Sequence, residues 1–166
     1  MSIRLVLVRH GLSSFNEKGL VQGRTDDSYL TDKGYEQALK SGEALSGINF
    51  DKVYSSPLIR AAETAKTIQK NLKGENNIIY DKNLLEVDLV SWSGLTINEI
   101  KNKYPEEYLL WKNDPENLIL ESINNSTYQP IKELYEQANE FIKSIFKIYL
   151  EKQEANILII GHNAIL

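Results

Sequence analysis

The sequence predicts an α/β protein of three layers, in which helices cover both faces of a mostly parallel sheet. Short, mostly apolar runs at 3–8, 53–55, 78–80 and 156–160 are flanked by glycine or polar residues, which is typical of strands. Segments with helical spacing of apolar residues lie between these runs. Strands that alternate with helices indicate right-handed crossovers in a parallel sheet.

The first half of the chain supplies the clearest elements. Residues 3–8 are aliphatic and stopped by Gly11, which predicts a strand buried on both faces. Residues 11–30 predict a long polar loop, and such loops in compact domains are often functional. Thr31 is the predicted N-cap of a helix that extends to Leu45. Its predicted inward face comprises Ala38, Leu39, Gly42 and Leu45.

The next helix has a serine and a proline at its start. Ser56 and Pro57 predict its N-cap and first helical residue, because the first position of a helix does not need the N–H group that proline lacks. The helix is expected to extend to Leu72, with Gly74 and residues 76–77 closing it.

The second half predicts mainly helix. Residues 96–104 and 105–112 indicate two short helices, and residues 121–128 indicate a loop. The longest helical pattern extends from Pro130 to Lys152 and has an apolar stripe on one side. This stripe comprises Ile131, Leu134, Tyr135, Ala138, Phe141, Ile142, Ile145 and Ile148.

The composition is that of a globular protein with a core. The 166 residues fit one domain, 1–166, and 42% of them are apolar. A net charge of −4 disfavours nucleic acid and anionic membrane as partners. The chain has no cysteine, which excludes disulfides and thiolate chemistry. Because no apolar run approaches the ~20 residues of a membrane span and no secretory signal is recognised, we expect a cytoplasmic protein.

The two histidines of the chain follow strands at its opposite ends. His10 comes directly after the first strand and His162 after the last. Ligands of open parallel sheets bind beyond the carboxyl ends of the strands, so neighbouring positions for these strands would bring both imidazoles to one cleft. Three further groups are expected at the same edge of the sheet: Arg9, Arg60 and Glu86.

These residue types favour phosphate chemistry. Guanidinium groups bind anions through paired donors, and only four of the 19 basic residues are arginines. An imidazole beside them could attack phosphorus, and a carboxyl group could protonate the leaving oxygen. A zinc site made by His10, His162 and Glu86 is the alternative. Two adjacent arginines argue against it because they repel a dication, so we expect no metal and no cofactor.

An ordered set of motifs resembles the histidine phosphatase (phosphoglycerate mutase-like) superfamily over nearly the whole chain, and is similar to a cyanobacterial-type branch of it. The resemblance implies a phosphoglycerate mutase-like fold. The motifs are Arg9-His10-Gly11, Asn16, Gln22-Gly23-Arg24, Leu30-Thr31-x-x-Gly34, Tyr54-Ser55-Ser56-Pro57-Leu58-x-Arg60-Ala61-x-x-Thr64-Ala65, Leu85-Glu86, Trp92-x-Gly94-Leu95 and Gly161-His162.

The resemblance also implies roles. His10 would be the nucleophile that becomes phosphorylated, and Glu86 would be the acid for the leaving group and then the base for water. Arg9, Arg60 and His162 would hold the phosphoryl oxygens. We further expect phosphate binding to favour a protonated His162. The further residues expected to bind substrate or phosphate are Asn16, Ser13, Gln22, Gly23 and Arg24.

Some positions depart from the family pattern. Leu12 stands where relatives often have glutamate, Tyr29 replaces a usual proline, and residues 163–164 replace a Gly-Gly pair. Family domains usually continue with a helix and further sheet, whereas this chain stops at Leu166. We therefore expect a single domain that is incomplete at its C-terminus and has an exposed sheet edge.

Hydrolysis of a small phosphorylated metabolite is the leading functional hypothesis. Phosphoglycerate mutase activity through the same histidine is one alternative, but the insert that holds additional basic contacts in such mutases offers only Lys101, Lys103 and Lys112. A non-catalytic phospho-ligand binding domain of a larger protein is the other. The sequence leaves the oligomeric state open and is compatible with a homodimer.

Overall fold

The structure is a computed structural model that describes residues 2–74, 77–122, 124–150, 152 and 154–166. Asn76, which was predicted to close the second long helix, and Glu151, which lies within the predicted last helix, are outside the described residues. The last helix was predicted to extend to Lys152 but ends at Tyr149. Along the chain the elements are β1 (Ser2–Arg9), α1 (Ser14–Glu17), α2 (Asp32–Leu45), β2 (Lys52–Ser55), α3 (Ile59–Gln69), β3 (Ile78–Tyr80), α4 (Ile97–Lys103), α5 (Pro105–Asn113), β4 (Leu120–Glu121), β5 (Thr127–Tyr128), α6 (Pro130–Tyr149) and β6 (Glu154–Gly161). Short 3₁₀ helices occupy Lys82–Leu84, Val90–Trp92 and Pro115–Asn117.

The predicted fold class is confirmed. Four strands form one sheet in the order β1-β6-β2-β3, and every neighbouring pair is parallel. Helices α2 and α3 pack on one face of this sheet and α6 packs on the other, which gives the three expected layers. In the part of the chain that the structure describes, no helix is long and apolar enough to cross a membrane.

Each face of the sheet has its own apolar core. Alternate residues of β6 point to opposite faces, so this central strand contributes to both cores. Leu158 and Ile160 pack with Ala61, Ala65 and Ile68 of the α2–α3 layer. On the other face, the core comprises Ile157 and Ile159 with Tyr54, Phe141, Ile145 and Tyr149.

The prediction that the first strand is buried on both faces is wrong. β1 lies at the edge of the sheet and none of its described residues is fully buried. Val6 and Val8 pack toward α2 and α3, and Leu5 packs toward α6, but Leu7 is 50% exposed. Leu7 is exposed because it lies on an edge strand. On the side of the sheet where α6 packs, no helix of the described chain covers this position.

The predicted start of the second long helix is also wrong. The structure has Leu58 at the N-cap of α3, whereas Ser56 and Pro57 precede the helix. The hydroxyl of Ser56 accepts a hydrogen bond from the Leu58 N–H at 3.3 Å, so it forms a turn before the helix. The helix ends at Gln69, before the predicted Leu72.

The other helices largely follow their predictions. Thr31 caps α2 by accepting a hydrogen bond from the Gly34 N–H at 3.1 Å, and α4 and α5 lie where two short helices were expected. Leu39 was predicted to face inward but is 43% exposed, and Tyr135 and Ile148 of α6 are also exposed. These residues lie at the margins of apolar stripes that are narrower than the sequence indicated.

Two predicted loops contain regular structure. The segment 11–30 includes the single helical turn α1, whose N-cap is Ser13. Residues 121–128 contribute to a short antiparallel hairpin in which Leu120 pairs with Tyr128. A third apolar cluster joins this hairpin region to the loop that follows β3; it comprises Val87, Leu89, Trp92, Ile100, Leu118, Leu120 and Leu134.

A close backbone contact joins the loop after β1 to α2. A side-chain carbon added at Gly11 would lie 2.3 Å from the carbonyl oxygen of Gly34, and one added at Gly34 would lie 2.3 Å from that of Leu12. Both glycines are therefore required by the approach of two backbones. The contact fixes the loop that carries His10 against the first turn of α2.

We predict that Gly34→Ala destabilises the protein although alanine favours helix more than glycine. The added methyl group must displace a backbone carbonyl, and overpacking of this kind typically costs about 1–3 kcal/mol, more than the helix propensity gains. Urea unfolding measures the change. Gly47→Ala is the matched control because an added carbon there has open space. A Gly34→Ala protein as stable as Gly47→Ala would contradict the prediction.

Candidate functional site

The register of the sheet brings the two histidines together. β1 pairs with β6 so that Arg9 lies opposite Gly161, and the His10 N–H donates to the Gly161 carbonyl at 3.0 Å. His10 and His162 are therefore the next residues on adjacent strands. Their ring centroids lie 5.1 Å apart and the rings are inclined by 59°. The predicted neighbouring position of the first and last strands is confirmed.

His10 is held in one tautomer. Its Nδ1 lies 2.7 Å from the carbonyl oxygen of Gly11, and a carbonyl can only accept, so Nδ1 carries the proton. Burial lowers the pKa of His10 to about 4, and the positive charges of Arg60 and Arg9 contribute to the shift. The imidazole is therefore neutral at physiological pH. Its Nε2 has a free lone pair and no hydrogen-bond partner among the described residues.

His162 is fully buried and also neutral. Burial, followed by the charge of Arg60, lowers its pKa to about 2, so the protonated form that phosphate binding is expected to favour is not the form of the free protein. Its Nε2 lies 2.8 Å from the hydroxyl of Ser56, which already accepts from the Leu58 N–H. We assign the Ser56 hydroxyl as the donor and His162 Nε2 as the acceptor of this hydrogen bond. The ring proton of His162 then lies on Nδ1, which is a buried donor. This nitrogen has no partner within the described chain.

Arg60 is also buried, at the first turn of α3. Its Nη1 donates to the carbonyl of Thr25 and its Nη2 to that of Gly23, both at 2.8 Å. Burial lowers the pKa of Arg60 to about 10, which still leaves the guanidinium charged at neutral pH. Its Nε is buried and has no partner in the described part of the chain. Two orphaned donors, from Arg60 and His162, therefore belong to groups that interact electrostatically with His10.

An open cleft lies at His10. Arg9 is exposed, unlike Arg60, so its guanidinium supplies charge from the solvent side. The Asn16 amide oxygen lies 2.9 Å from the Ser13 hydroxyl, and this asparagine also lines the cleft. The cleft is lined by Arg9, His10, Gly11, Leu12, Asn16 and Gln37.

Glu86 lies beside this group and is hydrogen-bonded as a carboxylate. Its Oε1 accepts from the backbone N–H groups of Val87 at 2.9 Å and Ala164 at 3.1 Å, and its Oε2 accepts from Asn163 at 3.1 Å. The Glu86 charge acts on Arg60 more strongly than any other charged group does. The pair that replaces Gly-Gly after His162 thus holds the carboxylate through its backbone.

Like Arg60, Glu86 and His162, the other predicted binding residues do not line this cleft. Ser13 is fully buried, and its hydroxyl lies 2.7 Å from the Gln22 side-chain oxygen. The Gly23 carbonyl binds Arg60. The Arg24 side chain reaches the carbonyl of Glu86 at 2.8 Å. Whether these four residues bind substrate stays a prediction.

Three residues contribute to the site although the sequence did not assign them to it. Thr64 accepts from the Gly11 N–H at 3.1 Å and donates to the carbonyl of Arg60 at 2.7 Å, and Gln37 accepts from the Leu12 N–H at 2.8 Å. Ser56 holds His162. Helical spacing was the available signal for Thr64, because residues four apart lie on one face of a helix.

The arrangement can bind and attack a phosphoryl group. It combines an uncharged nucleophilic nitrogen, two guanidinium groups and two unpartnered buried donors, all of which suit an oxyanion. Among the described residues, no three histidine, aspartate or glutamate side chains form a group suited to hold a metal ion. The strongest chemical interpretation is phosphoryl transfer to His10.

We predict that the unfolding free energy falls as pH is lowered below 6.5. The unfolded chain protonates both histidines near 6.5, whereas the folded chain protonates His10 only near 4 and His162 near 2. The unfolded state thus binds more protons in this window. Stability that is complete above 6.5 is lost at about 1.4 kcal/mol per pH unit for each histidine.

Urea unfolding of wild type and His162→Asn tests this prediction. The variant lacks one of the two titrating groups, so its loss of stability between about pH 6 and 5 should be shallower by about 1.4 kcal/mol per unit. The carboxylates contribute equally to the pH dependence of the unfolding free energy in both proteins. Parallel curves for the two proteins would show that His162 is not held neutral by the fold.

Comparisons with known proteins agree with this chemistry. The 2-carboxy-D-arabinitol-1-phosphatase of Triticum aestivum is 34% identical over 162 residues, which cover 98% of this chain and 30% of the wheat protein. The 2,3-bisphosphoglycerate-dependent phosphoglycerate mutase of Parvibaculum lavamentivorans is 39% identical over 112 residues, 65% of this chain and 53% of the mutase. The chain thus spans less than two thirds of either relative.

The fold comparison leads to the same family. The crystal structure of the α-ribazole phosphatase from Shigella flexneri matches with a TM-score of 0.82 and 28% identity, over 98% of this chain and 75% of that one. A family model for the histidine phosphatase superfamily (branch 1) matches residues 5–166. With the histidine pair, the arginines and the parallel sheet in place, the chain belongs to the histidine phosphatase superfamily, branch 1.

Proposed function

We propose that this chain hydrolyses the phosphomonoester of a small metabolite through a phosphohistidine on His10. The observation that carries the proposal is the neutral, Nδ1-protonated imidazole, whose Nε2 lone pair is free beside the cleft that His10 and Arg9 line. Arg9, Arg60 and the Nδ1–H of His162 supply donors for the phosphoryl oxygens. Family membership and the phosphatase and mutase relatives support the same reaction class.

The first step transfers the phosphoryl group to the protein. His10 Nε2 attacks phosphorus, and the bond between phosphorus and the alcohol oxygen breaks. Arg60 and His162 stabilise the charge on the non-bridging oxygens. Glu86 acts in its protonated form and gives its proton to the leaving oxygen, so that a neutral alcohol departs.

The second step releases phosphate. Water attacks the phosphorus of the phosphohistidine, the bond to Nε2 breaks, and the Glu86 carboxylate takes a proton from the water. His10 regains its lone pair and Glu86 its proton. Charge is compensated by protein cations throughout, so the proposed reaction needs no metal ion and no cofactor. Because phosphorylated metabolites are found inside cells, the proposal includes a cytoplasmic location.

The mutase alternative is supported by the mutase relative but less by the side chains. Lys101 and Lys103 of α4 lie over the rings of Tyr108 and Tyr104, each 5.3 Å from the ring centroid. These lysines thus already have tyrosine partners. A homodimer stays a prediction that sedimentation analysis would test.

The binding-only alternative is favoured by one observation. Backbone N–H groups of Val87, Asn163 and Ala164 occupy the Glu86 carboxylate in the free protein. If these contacts persisted with ligand bound, the pocket would hold phosphate without an acid for the leaving group.

We predict that wild type hydrolyses p-nitrophenyl phosphate in the presence of a chelator and that His10→Ala lowers kcat/KM by roughly 10³-fold or more, because the nucleophile is lost. Phosphate release measures the rates, and thermal unfolding confirms that the variant is folded. Equal release by wild type and His10→Ala would overturn the proposal.

Two further assays separate the alternatives. Efficient conversion of 3-phosphoglycerate to 2-phosphoglycerate with the bisphosphate primer would select the mutase. Phosphate that adds about 2.7 kcal/mol of stability at ~100 times its dissociation constant, without turnover of any phosphomonoester, would select the binding domain.

A further inference from the structure

The segment 85–89, which carries Glu86, has no regular secondary structure. Its backbone carbonyl groups therefore lack the partners that a helix or sheet would provide. Three of them are instead bound by side chains from distant parts of the chain. The donors belong to Arg24, Gln137 and Tyr128.

Gln137 of α6 makes two contacts with its amide. Its Nε2 donates to the carbonyl of Leu85 at 2.7 Å, and its Oε1 accepts from Arg24 Nη2 at 3.0 Å. The side chain thus needs a donor and an acceptor at the same time. Among side chains of this length, only an amide supplies both.

Arg24 reaches the same segment from the loop that follows β1. Its Nε donates to the carbonyl of Glu86 at 2.8 Å, and its Nη1 lies 3.5 Å from a carboxylate oxygen of Asp88. With Gln137 on Nη2, all three guanidinium nitrogens have protein partners. A lysine could not span all three partners, because its three N–H donors sit on one nitrogen whereas those of the guanidinium are spread over three.

Tyr128 binds the segment on its other side. Its hydroxyl donates to the carbonyl of Asp88 at 3.2 Å. Burial and the charge of Asp88 raise the pKa of Tyr128 to about 12, so the hydroxyl keeps its proton. The backbone on both sides of the Glu86 side chain is thus fixed by three elements.

We propose that Arg24 and Gln137 are positioning residues that hold Glu86 where it can protonate the leaving oxygen. The two side chains bind the carbonyls of Leu85 and Glu86 and bind each other, which ties the segment to α6. This proposal rests on the proposed function, since it concerns the acid of that reaction. Neither residue touches the phosphoryl group in this role.

The role makes a prediction that depends on the leaving group. p-Nitrophenolate is weakly basic and departs without a proton, whereas the alkoxide of an alkyl phosphate needs one. kcat/KM reports the steps up to phosphorylation of His10, so it excludes the later attack of water. Displacement of Glu86 should therefore lower kcat/KM for the hydrolysis of glycerol 2-phosphate far more than for that of p-nitrophenyl phosphate.

Gln137→Leu and Arg24→Lys test the proposal with these two esters. Gln137→Leu is expected to lower kcat/KM for glycerol 2-phosphate by roughly 10- to 100-fold, the cost of a small misplacement, and to lower that for p-nitrophenyl phosphate by less than about threefold. Arg24→Lys should shift the ratio of the two kcat/KM values in the same direction. Glu86→Gln should show the same selectivity more strongly. Gln137→Glu keeps the acceptor but loses the donor. Its kcat/KM for glycerol 2-phosphate should therefore lie between those of wild type and Gln137→Leu.

The chain offers matched controls. Gln129→Leu removes the same amide at the N-cap of α6, and Arg4→Lys makes the same exchange on β1. Both controls should retain the wild-type ratio for the two esters. Equal losses on both esters in Gln137→Leu and Arg24→Lys, or no loss on either, would overturn the positioning role.

Hydrogen exchange separates this proposal from the proposed function. The N–H groups of Val87, Asn163 and Ala164 donate to Glu86, so their exchange should quicken in Gln137→Leu and stay unchanged in Gln129→Leu. If Gln137→Leu does not fold, Arg24→Lys gives the same readout. A wild type without turnover would refute the proposed function and, with it, the role in leaving-group protonation, whereas unchanged exchange in a protein that turns over would refute the positioning role alone.

Discussion

The register between three parallel strands is the constraint on which the site depends. β1 and β2 both pair with β6, so the residues that follow them, His10 and Ser56, flank His162 at one edge of the sheet. Side chains alternate between the two faces of a strand, and a slip of one residue would therefore turn the His162 side chain to the opposite face. The apolar residues of β6, buried on both faces, fix this register through two separate cores. Core packing and site geometry thus have one cause.

Burial then determines the chemistry of the histidines. Removal from water disfavours the charged form of each imidazole, and the neighbouring guanidinium groups act in the same direction. The result is an uncharged nucleophile beside the guanidinium of Arg60, which remains protonated. Buried donors without partners are costly. Arg60 and His162 each have such a donor in the described part of the chain, and the proposed reaction would pair both with phosphoryl oxygens.

The sequence allowed the site to be located but not its hydrogen bonds. Apolar runs followed by His10 and His162 predicted two strand ends, and the parallel fold class implied their shared edge. The exposure of Leu7 was missed because a strand's own residues do not encode its position at the edge of a sheet. The hydrogen-bond partners of the Arg24 side chain could not be predicted either, since Glu86 and Gln137 are 62 and 113 residues away in the chain. Long-range polar contacts leave no periodic pattern.

Nitrogen NMR of the imidazoles tests most directly whether His10 and His162 form one anion site, because the chain has only two histidines. At neutral pH we expect both rings to be uncharged with the proton on Nδ1. Vanadate, an analogue of the transferring phosphoryl group, should shift the signals of both rings together. A protonated ring in the free protein, or vanadate that perturbs neither ring or only one, would contradict a shared anion site built by the register of β1 and β6.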